Sequence, residues 1–217
     1  MSFFSLFKIP SISYGITVCN EDKELRKLLS ELLPLIDQNK DEVIILQDTS
    51  HHNPNVNAII DEYKDYIIHL KSELNGDFSA FKNNLIKGAS KDYLFQIDAD
   101  EIPNISLIKN LKSFLRINFN RDVFLVPRIN IVNGITQEHI DKWQWKVDQK
   151  GYINFPDYQE RILKLNGKIF WKNKVHEVLT GYKKKKKLPS NSKKYCLIHE
   201  KSIAKQEAQN KFYEKLD

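Results

Sequence analysis

The residues of this chain best suited to chemistry are the acids that end the run Tyr93-Leu94-Phe95-Gln96-Ile97, namely Asp98, Asp100 and Glu101. The mostly apolar run reads as a short buried strand. Side chains alternate across a strand, so Asp98 and Asp100 share a face if the extended geometry continues. Two close carboxylates repel each other unless a cation or a proton relieves them. Pro103 is expected to stop the strand, which puts the acids at its carboxyl end, where open α/β sheets gather their ligands. The chemistry that suits this spacing is a divalent-metal site holding a diphosphate. An Asp-x-Asp pair alone is a weak signal, so the surrounding elements have to carry the reading.

Those elements alternate. Ser13 to Cys19 reads as a first strand, closed by Asn20, Glu21 and Asp22. Leu25, Leu28, Leu29, Leu32, Leu33 and Ile36 set a helical period over 23–36, with Pro34 ending or kinking it. Glu42 to Gln47 is a second strand ending at Asp48, Thr49 and Ser50, and a polar loop, His51 to Asn55, leads to a helix from Val56 to Tyr63. Ile67 to Leu70 suits a short third strand, and Asp77 to Ala89 a helix with Phe78, Phe81, Leu85 and Ile86 as its stripe. Strands alternating with helices imply βαβ units and a mostly parallel sheet.

The second half differs. A helix from Ile105 to Phe114 leads to a strand at Val123 to Val126 and then to a long segment carrying Trp143, Trp145, Tyr152, Phe155 and Tyr158. Aromatic-rich loops beside a sheet edge are what a sugar-binding cleft would use. Arg161 to Leu165 and Lys168 to Trp171 flank Asn166-Gly167, a hairpin turn signal, and Val175 to Leu179 is another extended run. The lysines at 183–187 read as a solvated loop or hairpin tip, contact with an anionic membrane being their other use.

Composition sets limits on function. The chain has 217 residues, 41% hydrophobic and 11% aromatic, which is enough for one sizeable core and excludes a disordered chain. A net charge of +6 favours anionic partners without selecting one, and no nucleic-acid-binding motif accompanies it. No apolar run reaches a membrane span, and the start, Met1 to Lys8, is too short for a signal peptide. Cys19 and Cys196 do not make a disulfide framework and read as reduced thiols of a cytoplasmic protein.

Several blocks, in order, resemble the family 2 glycosyltransferases with the GT-A fold, in the branch of the lipopolysaccharide-core glucosyltransferases. They are Val18-Cys19-Asn20-Glu21, Gln47-Asp48-Thr49-Ser50, Phe78 through Asn83 before Gly88-Ala89, Phe95 through Glu101, Pro156 through Leu163, and Trp171 through Glu177, within about residues 12 to 213. The family often places a second aspartate after Asp48-Thr49-Ser50, whereas this chain continues His51-His52-Asn53. The resemblance implies an α/β fold, a mostly parallel sheet sandwiched by helices with a smaller antiparallel sheet on the acceptor side. It also implies a single domain over 1–217, with a nucleotide-sugar half at 12–104 and an acceptor half at 105–217.

The implied activity is metal-dependent, inverting transfer of a sugar from a nucleoside-diphosphate sugar, UDP first among the carriers, to a hydroxyl of a glycan, lipid-linked saccharide or protein. Asn20, Glu21 and Asp48 would meet the nucleoside, Lys82 and Asn83 the diphosphate or donor sugar. Asp98 and Asp100 would bind Mn²⁺ or Mg²⁺, hard cations suited to oxygen ligands, and His176 and His199 are further metal or phosphate ligands. Inversion needs a carboxylate to take the acceptor proton, and Asp157 and Glu177 are the favoured bases, undivided by sequence, with Glu160 a third candidate. Arg161 pairs with a phosphate or with a neighbouring acid. The rival readings are a catalytically inactive GT-A module that binds glycan or nucleotide without turnover and a metal-dependent phosphohydrolase of the haloacid-dehalogenase type, which would need a later acidic pair.

Overall fold

Apolar residues on both faces suit β1 (Ile12–Val18) to the middle of a sheet, and all of it but Thr17 is buried. The computed structural model describes residues 8–213, and the expectation drawn from the first residues, 1–7, lies outside them. β2 (Glu42–Asp48) and β4 (Tyr93–Asp98) run parallel on either side of β1, and β3 (Ile68–Ser72) runs parallel beyond β2. The connections are α1 (Asp22–Leu32), α2 (Pro54–Glu62) and α3 (Phe78–Gly88). Asn53 and Asp77 cap the last two, each accepting hydrogen bonds from backbone amides of the first turn. Pro34 acts as its chemistry requires: α1 ends at Leu32 and Leu33–Leu35 forms one 3₁₀ turn.

The sheet's two faces carry different loads. Val43, Ile45, Tyr93, Phe95 and Ile97 pack with α1, α2 and α4 (Ile105–Ile117). Ile44, Leu46 and Leu94 pack with Phe81 and Leu85 of α3 and with Trp171 and Leu179. Alternation then gives Gln96 and Asp98 to the α3 side. Gly15 lets that helix approach, because a Cβ there would lie 2.6 Å from Leu85 Cδ2 and 2.8 Å from Leu94 Cδ1.

The second half completes the sheet. β5 (Glu101–Pro103), β6 (Val123–Asn133), β7 (Ile153–Lys164) and β11 (Leu197–Ser202) give the order β3-β2-β1-β4-β7-β6-β11-β5. β7 is antiparallel to both β4 and β6, and β11 lies parallel to β6 and antiparallel to β5. β8 (Phe170–Lys172) and β9 (Val178–Thr180) form a separate antiparallel pair. α5 (Gln137–Trp143) follows β6, and α6 (Ile203–Tyr213) follows β11. The expected architecture is therefore present: a sheet with parallel pairing through its first half, helices on both faces, and a small antiparallel sheet.

Three local expectations change. The extended geometry does not continue past Asp98, because Ala99 and Asp100 form a turn into β5 and Pro103 lies inside that edge strand. Asn166-Gly167 does turn the chain, with Lys168 N–H donating to Asn166 Oδ1 at 3.0 Å, but no hairpin forms on it. The edges of β7 are already taken by β4 and β6, so β8 finds β9 instead. The lysine run forms β10 (Lys185–Lys187), a short parallel addition to β6, with Lys185 3.5 Å from Glu160 and Lys187 over the Tyr158 ring at 4.4 Å. Cys19 and Cys196 are free thiols, and burial raises them to about 12 and about 11. Among the described residues no helix is long and apolar enough to cross a membrane.

Gly15→Ala should destabilise the fold by about 1–3 kcal/mol, since the overlap falls on packed leucines. An unchanged urea midpoint would show that α3 can retreat freely.

Candidate functional site

Parallel pairing of β1, β2 and β4 brings their carboxyl ends together, with Thr17 beside Asp98 and Val18 beside Gln47. Asn20, Glu21 and Asp48 follow on the same edge. Glu21 closes the first loop, its Oε2 accepting from Cys19 N–H at 2.9 Å and Asn20 N–H at 3.0 Å. Asp48 Oδ1 accepts from Ser50 N–H and Oγ and from Leu74 N–H, which ties the loop before α3 to the end of β2. Asn20 Oδ1 meets Asn53 Nδ2 at 3.4 Å. These residues form a polar shelf beside the main cleft rather than its wall.

The cleft itself, of about 490 Å³, is lined by Asp98, Lys82, Asp157, Glu177 and His199 among the expected residues. Lys82, from α3, pairs with Glu177 between β8 and β9 and stands 4.9 Å from the Trp171 ring centre. Asn83 points elsewhere: its amide clasps the backbone of Trp171, accepting at 2.8 Å and donating at 2.9 Å. His176 sits in the left-handed region (φ 52°) in the turn before β9, outside the cleft lining.

Behind the cleft runs a chain of buried charges. Arg161 of β7 is 3% exposed and places Nη2 2.5 Å from both Asp98 Oδ2 and Glu101 Oε1. Glu101, fully buried, also accepts from Arg128 Nη1 at 3.1 Å and from Asp98 N–H at 3.2 Å. Arg128 then turns its Nε and Nη2 onto Asp157 Oδ2, at 2.9 and 2.7 Å. Thr17 donates to the other oxygen of Asp98 at 2.8 Å, so both oxygens of that carboxylate are engaged. Of the two readings of Arg161, the structure shows pairing with neighbouring acids.

Asp157 is saturated. Oδ2 also accepts from Asn130 Nδ2 at 2.9 Å, and Oδ1 accepts from Gln159 Nε2 at 2.7 Å. Because Asn130 spends its N–H₂ on a carboxylate, its Oδ1 is the atom facing His199 Nδ1 at 3.0 Å. Nδ1 must then carry the proton, and the lone pair of a neutral imidazole lies on Nε2. Nε2 faces Asp100 Oδ2 at 3.4 Å, and Lys205 Nζ approaches the same oxygen at 3.3 Å. Among the described residues no group of three or more His, Cys, Asp or Glu side chains gathers as metal ligands, but when its ring is neutral His199 would turn an Nε2 lone pair toward the Asp100 carboxylate, two ligands that suit a hard or borderline divalent cation. Mg²⁺-type ions commonly take one or two protein ligands and complete their shell with phosphate and water. Asp100 and His199 fit that role better than Asp98, whose oxygens are occupied.

The charges around these groups keep them ionised. Burial opposes ionisation of Asp98, yet Arg161 and Lys82 hold its carboxyl far below the usual range, helped by Thr17. Burial likewise opposes charge on Asp100, which the protonated form of His199, donating from Nε2, and Lys205 bring down to about 2. Asp157 is lowered against its burial by Arg128 and Asn130. Lys201, from β11, is pushed down to about 8 by burial and by its cationic neighbours Arg128 and Lys205, and it donates to Gln209 Oε1 at 2.6 Å. Arg128, Asn130, Lys201 and Lys205 were not among the expected site residues, and no local pattern marks them.

One cleft at the sheet edge thus gathers ionised acids, a histidine oriented from behind, and the lysines Lys82 and Lys201, each already paired within the protein. The model of the family described as glycosyl transferase family 2 matches residues 13–205, and the chain belongs to that family. The SPbeta prophage-derived glycosyltransferase SunS of Bacillus subtilis (strain 168) is 28% identical over 176 residues, which are 80% of this chain and 36% of that protein. The glycosyltransferase SunS of Bacillus phage SPbeta matches equally. The chain thus spans about a third of the length of these relatives. Among solved structures, S. aureus TarS 1-349 in complex with UDP-GlcNAc superposes with a TM-score of 0.60 at 16% identity, over 88% of this chain and 58% of that one. The complex of the same protein with UDP gives the same score and identity over 60% of its length, a likeness of fold.

Acid should expose the lowered carboxylates. Their folded pKa values lie below the unfolded value of about 3.9, so their contribution is complete above about pH 4 and is lost as pH falls toward about 2. Urea midpoints between these limits should fall with pH, less steeply in Asp100→Asn. Equal slopes for the two proteins would contradict the low value for Asp100.

Proposed function

We propose that this chain is the donor-binding and catalytic module of a metal-dependent, inverting glycosyltransferase that uses a nucleoside-diphosphate sugar. The observation that carries the reading is the pair Asp100 and His199, whose ring is oriented through Asn130 by an ionised Asp157. Asp100 and His199 hold the cation, Mn²⁺ or Mg²⁺, and Asp98, fixed by Arg161 and Thr17, faces the donor from the end of β4. A cation bound there supplies Lewis-acid neutralisation of the charge that builds on a departing diphosphate. Lys82 and Lys205 add fixed positive charge for the same group, and the shelf of Asn20, Glu21 and Asp48 receives the nucleoside. A UDP donor is favoured by the TarS complexes with UDP and UDP-GlcNAc, which share the fold. The lipopolysaccharide-core branch rests on the ordered sequence blocks alone.

Glu177 is the better base. Asp157 accepts four hydrogen bonds and is held to its charged, weakly basic form, whereas Glu177 Oε2 has no bonded partner among the described residues. In the displacement, the acceptor hydroxyl attacks the anomeric carbon on the face opposite the diphosphate. Its proton passes to Glu177, and the bond from that carbon to the diphosphate oxygen breaks as the new glycosidic bond forms.

Release of nucleoside diphosphate from a panel of UDP-, GDP- and dTDP-sugars, with Mn²⁺ and with chelator, tests the whole reading. Metal-dependent release from one donor is expected. Binding without release under every condition would favour the module that binds without turnover. Glu177→Gln should lower kcat by about 10²–10⁴-fold with UDP affinity retained. Asp157→Asn should instead lower the unfolding midpoint, and a catalytic loss without a stability loss there would move the base to Asp157. Asn130→Leu should weaken Mn²⁺ binding by about 10–100-fold in calorimetry, and an unchanged affinity would remove His199 from the metal.

A further inference from the structure

The outer part of the cleft is built differently from its charged floor. Trp145 forms one wall, and Asn154, Gln159, Gln206, Gln209 and Asn210 contribute amides around it. The indole is braced from behind: its ring centre lies 4.7 Å from that of Trp143, which stands 5.2 Å from the His139 ring. These rings do not serve the core. α5, which carries His139 and Trp143, has no buried residue. The backbone beside Trp145 is nonetheless pinned, with Lys146 N–H donating to Asn154 Oδ1 at 2.9 Å and Asn154 N–H to Lys146 O at 2.7 Å. Gln144, in the left-handed region at φ 53°, turns the chain from α5 to the wall.

Among the described residues, the amides keep hydrogen-bonding capacity of both kinds. Gln159 gives its N–H₂ to Asp157 and retains Oε1. Gln206 gives its N–H₂ to Asn210 Oδ1, which leaves Gln206 Oε1 and the Asn210 N–H₂. Gln209 accepts from Lys201 and retains its N–H₂. A rigid aromatic face bordered by mixed donors and acceptors matches a pyranose ring, whose C–H face stacks while its hydroxyls donate and accept.

We infer that this outer wall is an acceptor subsite for a saccharide, with Trp145 as its stacking platform. The inference rests on the transferase reading and chooses the glycan among the acceptors that reading allows. A peptide presenting a single hydroxyl, or a lipid headgroup, would leave the braced indole and its ring of amides unused. The sugar stacked on Trp145 extends the acceptor chain away from Glu177, so that its terminal hydroxyl reaches the floor of the cleft.

The test applies fluorescently labelled protein, in the presence of UDP and Mn²⁺, to an array of immobilised oligosaccharides. A peptide array and vesicles of anionic phospholipid are the competing arms. Capture on a glycan is expected, weakened at least about tenfold in Trp145→Ala and restored by Trp145→Phe. UDP calorimetry on the same preparations reports the donor half separately and should be the same for all three proteins. Normal UDP binding with capture only on peptides or vesicles, with no capture, or with glycan capture that Trp145→Ala leaves unchanged, overturns the subsite. Failure of the wild type to bind any nucleotide overturns the transferase reading, and the subsite with it.

Discussion

The pairing of Arg161 with Asp98 and Glu101 is the interaction on which the site depends. Three charged groups packed behind a cleft are costly to desolvate, and only mutual contact makes their burial tolerable. Arg161 reaches the two acids because β7 inserts antiparallel between β4 and β6, so the strand that breaks the parallel sheet also supplies the charge that holds its edge. Arg128, from the neighbouring strand, reaches the same oxygen of Glu101 and links it to Asp157. Remove the guanidinium of Arg161 and a fully buried carboxylate loses its nearest cation.

This arrangement passes order outward without movement. Asp98, Asp100 and Asp157 each have a fixed cationic partner that keeps them ionised at neutral pH, where they act only as acceptors. An acceptor-only Asp157 sets the amide of Asn130, and that amide sets the proton of His199. The direction of one lone pair at the cleft is thus decided two residues away. The same hydrogen bonds that make Asp157 a good orienting group would, in the proposed mechanism, make it a poorer base than Glu177.

Family membership fits a division of labour within the chain. The first strands and helices build the shelf and supply Lys82 and Asp98 to the charged floor, whose other members, Arg128, Asp157, Arg161, Glu177 and His199, come from the second half. The second half supplies the walls, where β7, α5 and α6 bring aromatic and amide groups. Superposition on TarS at 16% identity shows how far sequences can diverge while the sheet keeps its form.

The sequence by itself determined the alternation of β1 to β4 with α1 to α3, because helical and strand periods, caps and prolines act within a few residues. It also placed Asp98 at a strand end, and Asn166-Gly167 at a turn. Family blocks then led to Lys82, Asp157 and Glu177, which line one cleft together with His199, singled out as a further possible ligand. Only the tertiary structure decided which strand β8 would join, since that depends on both edges of β7 being occupied. It also decided that Asp100 would face His199 rather than stand beside Asp98 on one strand face, because the chain turns at Ala99. The joining contacts span long stretches of chain: 63 residues from Asp98 to Arg161, 69 from Asn130 to His199 and 95 from Lys82 to Glu177. No local period encodes such contacts. They follow from the order of strands in the sheet, and that order is set by the burial of whole elements against one another.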